Sequence, residues 1–458
     1  MKIAHSLKLT QPAPQRDPSQ AEFKELIAPK PDDRVDIGQD TPPAREMKNM
    51  AEAKSALGRL DYHADIDPFV ATVAGGIYAG KVSDPKDAET VKLELKKYYE
   101  RDFEVELGLQ HGPEAPLLVI LPGIYGERDG GFNTLTKKTA HERGMNYLVI
   151  PNALGDDALD DRPKFHPGNP GLESEMVMEI LKQMKERHPE HFDKVSITGY
   201  SYGGLLAANV VRADEDAHTE QERLITGGMF AVSPPEDLYD SMRELDGLRR
   251  DYAEGAGSVL GTVLKYRKDV KKFGYENFPQ SELARRGPGE NITEIKISDK
   301  YGSRNDMEDM VPRVDQMFDH NAIPRPNPLD PDQNRKRRAM LDAMNYLWYS
   351  NDWFAKDSWL VERGLTPEAM ADEYSYKKAL DSIERTPTLT LVSRDDYIIN
   401  QRNVETYEDL AAQNEPLEAT KLLTTGGHVG ALFNPEVRGV LADFTYAVAE
   451  RPGDFKGA

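Results

Sequence analysis

Apolar positions along the chain change period twice. Val91, Leu93 and Leu95 alternate with Lys92, Glu94 and Lys96, and Phe103, Val105, Leu107 and Leu109 alternate in the same way. Two such runs predict a half-buried antiparallel pair. Beyond them the alternation stops. LLVIL (117–121), YLVIP (147–151), VSIT (195–198), MFAVS (229–233), LTLVS (389–393) and KLLT (421–424) are unbroken apolar runs. Runs of this kind are what strands buried on both faces look like. Helix-length stretches separate them; in GLESEMVMEILKQMKERHP, from Gly171, the residues Met176, Ile180 and Met184 share one face. The pattern predicts a mostly parallel α/β sheet flanked by helices.

Two regions break the pattern. Residues 1–48 are rich in Pro, Asp, Lys and Gln and read as an arm or tail, with a helical stretch AREMKNMAEAKSALGRL starting at Ala44. About 150 residues lie between Ser233 and Thr386, where an ordinary crossover needs only a few tens. Val259, Val263, Tyr266, Val270 and Phe273 recur there at steps of three and four, and MLDAMNYLWYSNDWF (340–354) follows. We read 235–385 as an inserted, mostly helical cap on a core made of 49–234 and 386–458.

Composition narrows the function classes. The net charge of −21 argues against nucleic acid or an anionic membrane as the main partner. There is no cysteine, so disulfide and thiolate chemistry are excluded and a cytoplasmic location is expected. The opening residues lack the apolar region of a secretion signal, and no stretch reaches the ~18 apolar residues of a membrane span.

The candidate chemistry begins at GYSYGG (199–204), directly after VSIT and before LLAANVV. Glycine, any residue, serine, any residue, glycine between strand and helix is a nucleophile elbow. Gly199 and Gly203 remove side chains that would collide with the neighbouring strand and helix, and Ser201 stands clear as the nucleophile. The elbow expects an acid next and a histidine last. Among the ten histidines only His428, in TTGGHVGAL, follows His320. LTLVSRDDYIIN offers Asp395 and Asp396 at the end of a strand. Asp396 is favoured because YII after it reads as a short hydrophobic return, which leaves Asp395 solvated or structural. An oxyanion hole needs two backbone amides. Tyr202 supplies one, and the loop LLVILPGIYGE supplies the other, with Gly123 allowing close approach and Ile124 as donor.

Several stretches together resemble the α/β-hydrolase superfamily, and within it the YheT-like subgroup: LLVILPGIYGE, KFHPGNP (164–170), GYSYGG, VSPPEDL, SRDDYIIN and GGHVGAL, in that order over about 110–445. The resemblance implies an α/β-hydrolase fold, Ser201, Asp396 and His428 as a catalytic triad, and hydrolysis of short- or medium-chain carboxylic esters or lipids. Pro122-Gly123 stands where the subgroup usually has His-Gly, and the first hundred residues are unlike its usual short start. No cofactor or metal is expected. An acyltransferase or thioesterase would use the same triad, and a non-catalytic binding protein could keep the same fold.

Other features read as structural. His166 in KFHPGN is expected to cap a loop or bond a carbonyl. The aspartates of GDDALDDRP (155–163) read as a solvated loop. DPDQN (330–334) fails as a calcium loop because Arg335 and Leu341 occupy its glycine and glutamate positions. RKRR (335–338) reads as a solvated helix face. Tyr346, Trp348, Tyr349, Trp353 and Phe354 read as packing, with an acyl pocket as the other use of that cluster.

Overall fold

The alternating runs pair as expected. In the computed structural model β1 (Glu89–Leu93) runs antiparallel to β2 (Phe103–Gly108), with Val91 opposite Val105. The described residues are 42–62, 68, 71–72, 85, 88–124, 126–255, 351, 354–413 and 415–456. Most of the arm and most of the expected cap lie outside them, as do the helical pattern of 259–273, DPDQN, RKRR and the side chains of the aromatic cluster of 346–354.

The unbroken runs form β3 (Leu117–Leu121), β4 (Asn146–Val149), β5 (Val195–Tyr200), β6 (Met229–Val232), β7 (Thr388–Ser393) and β8 (Glu418–Leu423). The sheet order is β1-β2-β4-β3-β5-β6-β7-β8, parallel from β4 to β8. This is the α/β-hydrolase fold. The reason the inner strands show no alternation is visible in β3. Leu117, Val119 and Leu121 enter one apolar core, while Leu118 and Ile120 enter another on the opposite face. β8 departs from this pattern: it lies at the sheet edge and is half-buried over most of its length.

The helices in chain order are α1 (Met50–Gly58), α2 (Gly131–Glu142), α3 (Asp156–Asp160), α4 (Pro170–Arg187), α5 (Tyr202–Ala217), α6 (Leu238–Gly255), α7 (Ser358–Arg363), α8 (Pro367–Glu373), α9 (Tyr376–Ser382), α10 (Gln401–Ala412), α11 (Pro435–Glu450) and α12 (Pro452–Lys456). Met176, Ile180 and Met184 of α4 are buried against the first core together with Leu205 of α5 and Tyr407 of α10. Burying such a side chain contributes about 1.5 to 3 kcal/mol. α1, α2 and α11 cover the second core. Helix α1 starts later than its apolar pattern suggests, because the Asn49 side chain caps it by accepting from the Glu52 amide. No helix among the described residues is long and apolar enough to cross a membrane.

The described parts of 235–385 include α7, α8 and α9, which lie on the first core. Tyr376 of α9 is fully buried and its hydroxyl shares a 2.6 Å hydrogen bond with Thr390 Oγ1 of β7. Trp359 of α7 donates from Nε1 to Glu175 of α4 at 3.1 Å.

Candidate active site

Between β5 and α5 the chain turns within one residue. Ser201 has φ +55° and ψ −133°, a region a non-glycine residue rarely occupies. Its amide is tied to the Val232 carbonyl of β6 at 2.9 Å. The turn leaves no room beside it. A Cβ on Gly199 would lie 2.0 Å from the Gly203 carbonyl oxygen, and one on Gly203 would lie 2.1 Å from the Leu121 oxygen. Any side chain at either position would force the strand and helix apart.

The loop after β3 runs against this turn. A Cβ on Gly123 would fall 2.9 Å from Ser201 Cβ and 3.4 Å from its Oγ. The loop folds on itself through the Gly126 amide, which donates to the Gly123 carbonyl at 2.9 Å. Ile124 follows Gly123 there and is half-buried against the first core. Tyr202 is the first residue of α5 and is buried. Tyr202 thus follows Ser201 in the chain, and Gly123, the residue before Ile124, lies against Ser201 in space.

His428 arrives from the other end of the sheet. It follows β8 in a loop that leads to the 3-10 helix Gly430–Phe433. His428 Nε2 lies 2.7 Å from Ser201 Oγ. Its Nδ1 lies 2.9 Å and 3.1 Å from the two carboxylate oxygens of Asp396. A carboxylate only accepts, so Nδ1 carries the proton in neutral imidazole and Nε2 is left to accept from the serine hydroxyl. Asp396 and His428 are both buried, at 3% and 5% exposure, so water does not compete for these bonds. The Ile398 amide donates to Asp396 Oδ1 at 3.0 Å, so the return after the acid folds back onto it. The Tyr397 ring meets the imidazole edge-on, 5.9 Å between centroids.

Asp395 has a different place. Its Oδ1 accepts from the Gly427 amide at 2.8 Å. Burial raises its carboxyl above the usual range, opposed by the amides of Gly427 and Gly426. It fastens the histidine loop and does not touch the ring nitrogens. Ser233, itself at φ +47°, also fastens that loop by accepting from the Val429 amide at 3.2 Å. Arg438 of α11 is buried and donates to the Leu432 carbonyl at 3.2 Å and to that of Phe433. Burial lowers its guanidinium to about 10. Sequence reasoning passes over both residues, because a serine after a strand and an arginine in a helix carry no local sign of a distant partner.

His166 bonds a carboxylate, where a loop cap or a carbonyl was expected. Its amide and its Nδ1 both contact Asp357 Oδ2, at 2.8 and 2.9 Å. Asp357 also caps α7 through the Trp359 amide. The KFHPGNP segment thus ties the loop before α4 to α7. In the aspartate-rich stretch 155–163, Asp156–Asp160 is helical and Asp157 pairs with Arg128 at 2.9 Å. Among the described residues no group of three or more His, Cys, Asp or Glu is arranged to hold a metal ion.

No family model and no curated protein matches the chain. Several solved structures are similar in fold. An esterase of Pyrococcus furiosus is 12% identical, over 78% of this chain and 89% of its own, with a TM-score of 0.41. A 2,6-dihydroxy-pseudo-oxynicotine hydrolase is 13% identical, over 82% and 71%, with a TM-score of 0.42. A proline iminopeptidase of Mycobacterium smegmatis is 12% identical, over 79% and 99%, with a TM-score of 0.38. These likenesses are too distant to speak for the YheT-like subgroup or for a substrate.

Proposed function

We propose that this chain is a serine hydrolase that cleaves carboxylic esters through an acyl-enzyme intermediate. The observation that carries this reading is the continuous hydrogen-bonded chain from Ser201 Oγ through His428 to Asp396, with links of 2.7 and 2.9 Å. His428 Nε2 takes the hydroxyl proton as Ser201 Oγ bonds to the ester carbonyl carbon. The carbonyl oxygen becomes an oxyanion, and the amides of Tyr202 and Ile124 receive it. The N-terminus of α5, which begins at Tyr202, adds a favourable field for that charge. The tetrahedral centre collapses, His428 protonates the departing alcohol, and the acyl group stays on Ser201. Water then repeats the sequence, with His428 as base, and releases the acid. Asp396 keeps Nδ1 protonated and steadies the imidazolium at each stage. No step calls on a metal or cofactor.

The substrate class is a small-molecule or lipid ester. In this reading 49–234 and 386–458 form the catalytic core. The test is a series of p-nitrophenyl esters of rising acyl length, given to the wild type and to Ser201→Ala. Hydrolysis by the wild type, reduced by at least about 1,000-fold in the variant, is expected. A variant that keeps the wild-type rate, or a wild type that cleaves none of the series, overturns the proposal.

A further inference from the structure

The loop that carries His428 is strained. Gly426, Gly427 and Val429 have φ of +149°, +61° and +57°. Val429 is β-branched, and such a residue holds the left-handed region only where its surroundings over-determine it. On the inner side Asp395 and Ser233 accept from the amides of Gly427 and Val429, at 2.8 and 3.2 Å. The first holds the peptide that joins Gly426 to Gly427, and the second holds the N–H side of the peptide that joins His428 to Val429. The carbonyl side of that same peptide is held from elsewhere.

The donor to that carbonyl comes from the N-terminal part of the chain. Thr72 Oγ1 lies 2.5 Å from the His428 oxygen, across 356 positions of sequence. A threonine hydroxyl has one proton, and its other carbonyl neighbour, that of Pro68, is at 3.4 Å. The shorter contact takes the proton. Thr72 is buried and its neighbour Ala71 fully so. The same segment moulds the loop sterically. A Cβ on Gly427 would lie 2.1 Å from the Pro68 carbonyl oxygen, and one on Gly430 would lie 3.2 Å from Ala71 Cβ. Two glycines of GGHVG thus face Pro68 and Ala71.

We propose that Thr72 is a positioning residue for His428, holding the peptide that sets the aim of the imidazole; the inference rests on the catalytic reading of His428 given above. The direction of the His428 carbonyl fixes ψ of His428 and φ of Val429 together. Without the hydroxyl this peptide is held on its N–H side alone, by Ser233, and Nε2 spends less time in line with Ser201 Oγ. Misalignment of a catalytic group lowers the rate of the chemical step more than it lowers ground-state binding.

The test uses the full chain with Thr72→Val, which keeps the shape and removes the hydroxyl, and Thr72→Ser, which restores it. Expected for Thr72→Val is a fall in kcat of about 10-fold on a p-nitrophenyl ester with KM unchanged. The rate constant for fluorophosphonate labelling falls in step, while the number of labelled sites stays at the wild-type level. Thr72→Ser recovers both rates. Wild-type kcat in Thr72→Val, or a loss confined to the number of labelled sites, overturns the proposal and assigns Thr72 to folding alone. Ser201→Ala is run beside them. If it is inert while Thr72→Val is fully active, the inference falls and the catalytic reading stands. If Ser201→Ala still labels and turns over, both fall.

Discussion

At the residue scale, two adjacent carboxylates serve one histidine in different ways. Asp396 addresses the ring at Nδ1, and Asp395 holds the backbone at Gly427. Substituting either by asparagine keeps an acceptor oxygen and removes a charge. For Asp395 an acceptor is all that the Gly427 amide needs. For Asp396, in the proposed mechanism, the charge stabilises the imidazolium, and the new amide group can donate to Nδ1 and so reverse the tautomer. We therefore expect Asp396→Asn to lower kcat by on the order of 10,000-fold, and Asp395→Asn to lower it by no more than about 10-fold. Steady-state ester hydrolysis by the two variants checks this, and equal losses would contradict it. The sequence favours Asp396 for a physical reason that the fold displays: the return YII brings the Ile398 amide back onto Asp396, as a turn built on an aspartate does. Thr72 had no such sign, because its partner is a backbone carbonyl 356 positions away.

At the scale of elements, the start of α4 shows how a loop near the elbow is held. Asn169 caps the helix through the amides of Gly171 and Leu172, each at 3.1 Å. One turn on, Glu173 Oε1 accepts from the amides of Gly168 and Asn169. Glu173 is 1% exposed. Burial pushes its carboxyl from 4.5 up to about 7, against the pull of those amides. A carboxyl raised in this way binds its proton more tightly in the folded than in the unfolded chain. Stability attached to it is present at low pH and is lost as pH rises from about 4.5 through about 7. Glu173→Gln keeps the acceptor and does not titrate. Urea unfolding of both proteins across that window is expected to show the wild type losing on the order of 3 kcal/mol relative to the variant. Parallel pH profiles would contradict the assignment.

The elements themselves were largely legible. β3 begins and ends at the residues of its apolar run, because all five of its side chains are buried on one face or the other. β8 was legible as a strand but not as a half-buried edge, since KLLT reads the same in either place. The tie between His166 and Asp357 was not legible, because two loops 191 positions apart carry no shared periodicity.

At the scale of the whole molecule, the chain closes its second core with pieces from both ends. Met47, Met50 and Leu57 pack there with Val437, Leu441 and Phe444 of α11. Asp443 of α11 joins them: it accepts from the Arg45 amide at 3.0 Å, and its other oxygen accepts from Nε of Arg143, after α2, at 2.6 Å in a buried ion pair. The Arg45 side chain pairs in turn with Glu436. Part of what read as an arm, from Pro42 onward, is therefore wall. The same closure brings Thr72 to the histidine loop. Distant segments meet at the ends of β5, β7 and β8, where an α/β sheet of this order gathers its loops.

The proposed chemistry requires Ser201 as the nucleophile and His428 as its base. Reacting the full chain with a fluorophosphonate ester, and locating the adduct by peptide mass spectrometry, tests this most directly. An adduct on Ser201, none in Ser201→Ala, and labelling slowed by at least about 1,000-fold in His428→Ala are expected. An adduct on another residue, or labelling that survives either substitution undiminished, would contradict it.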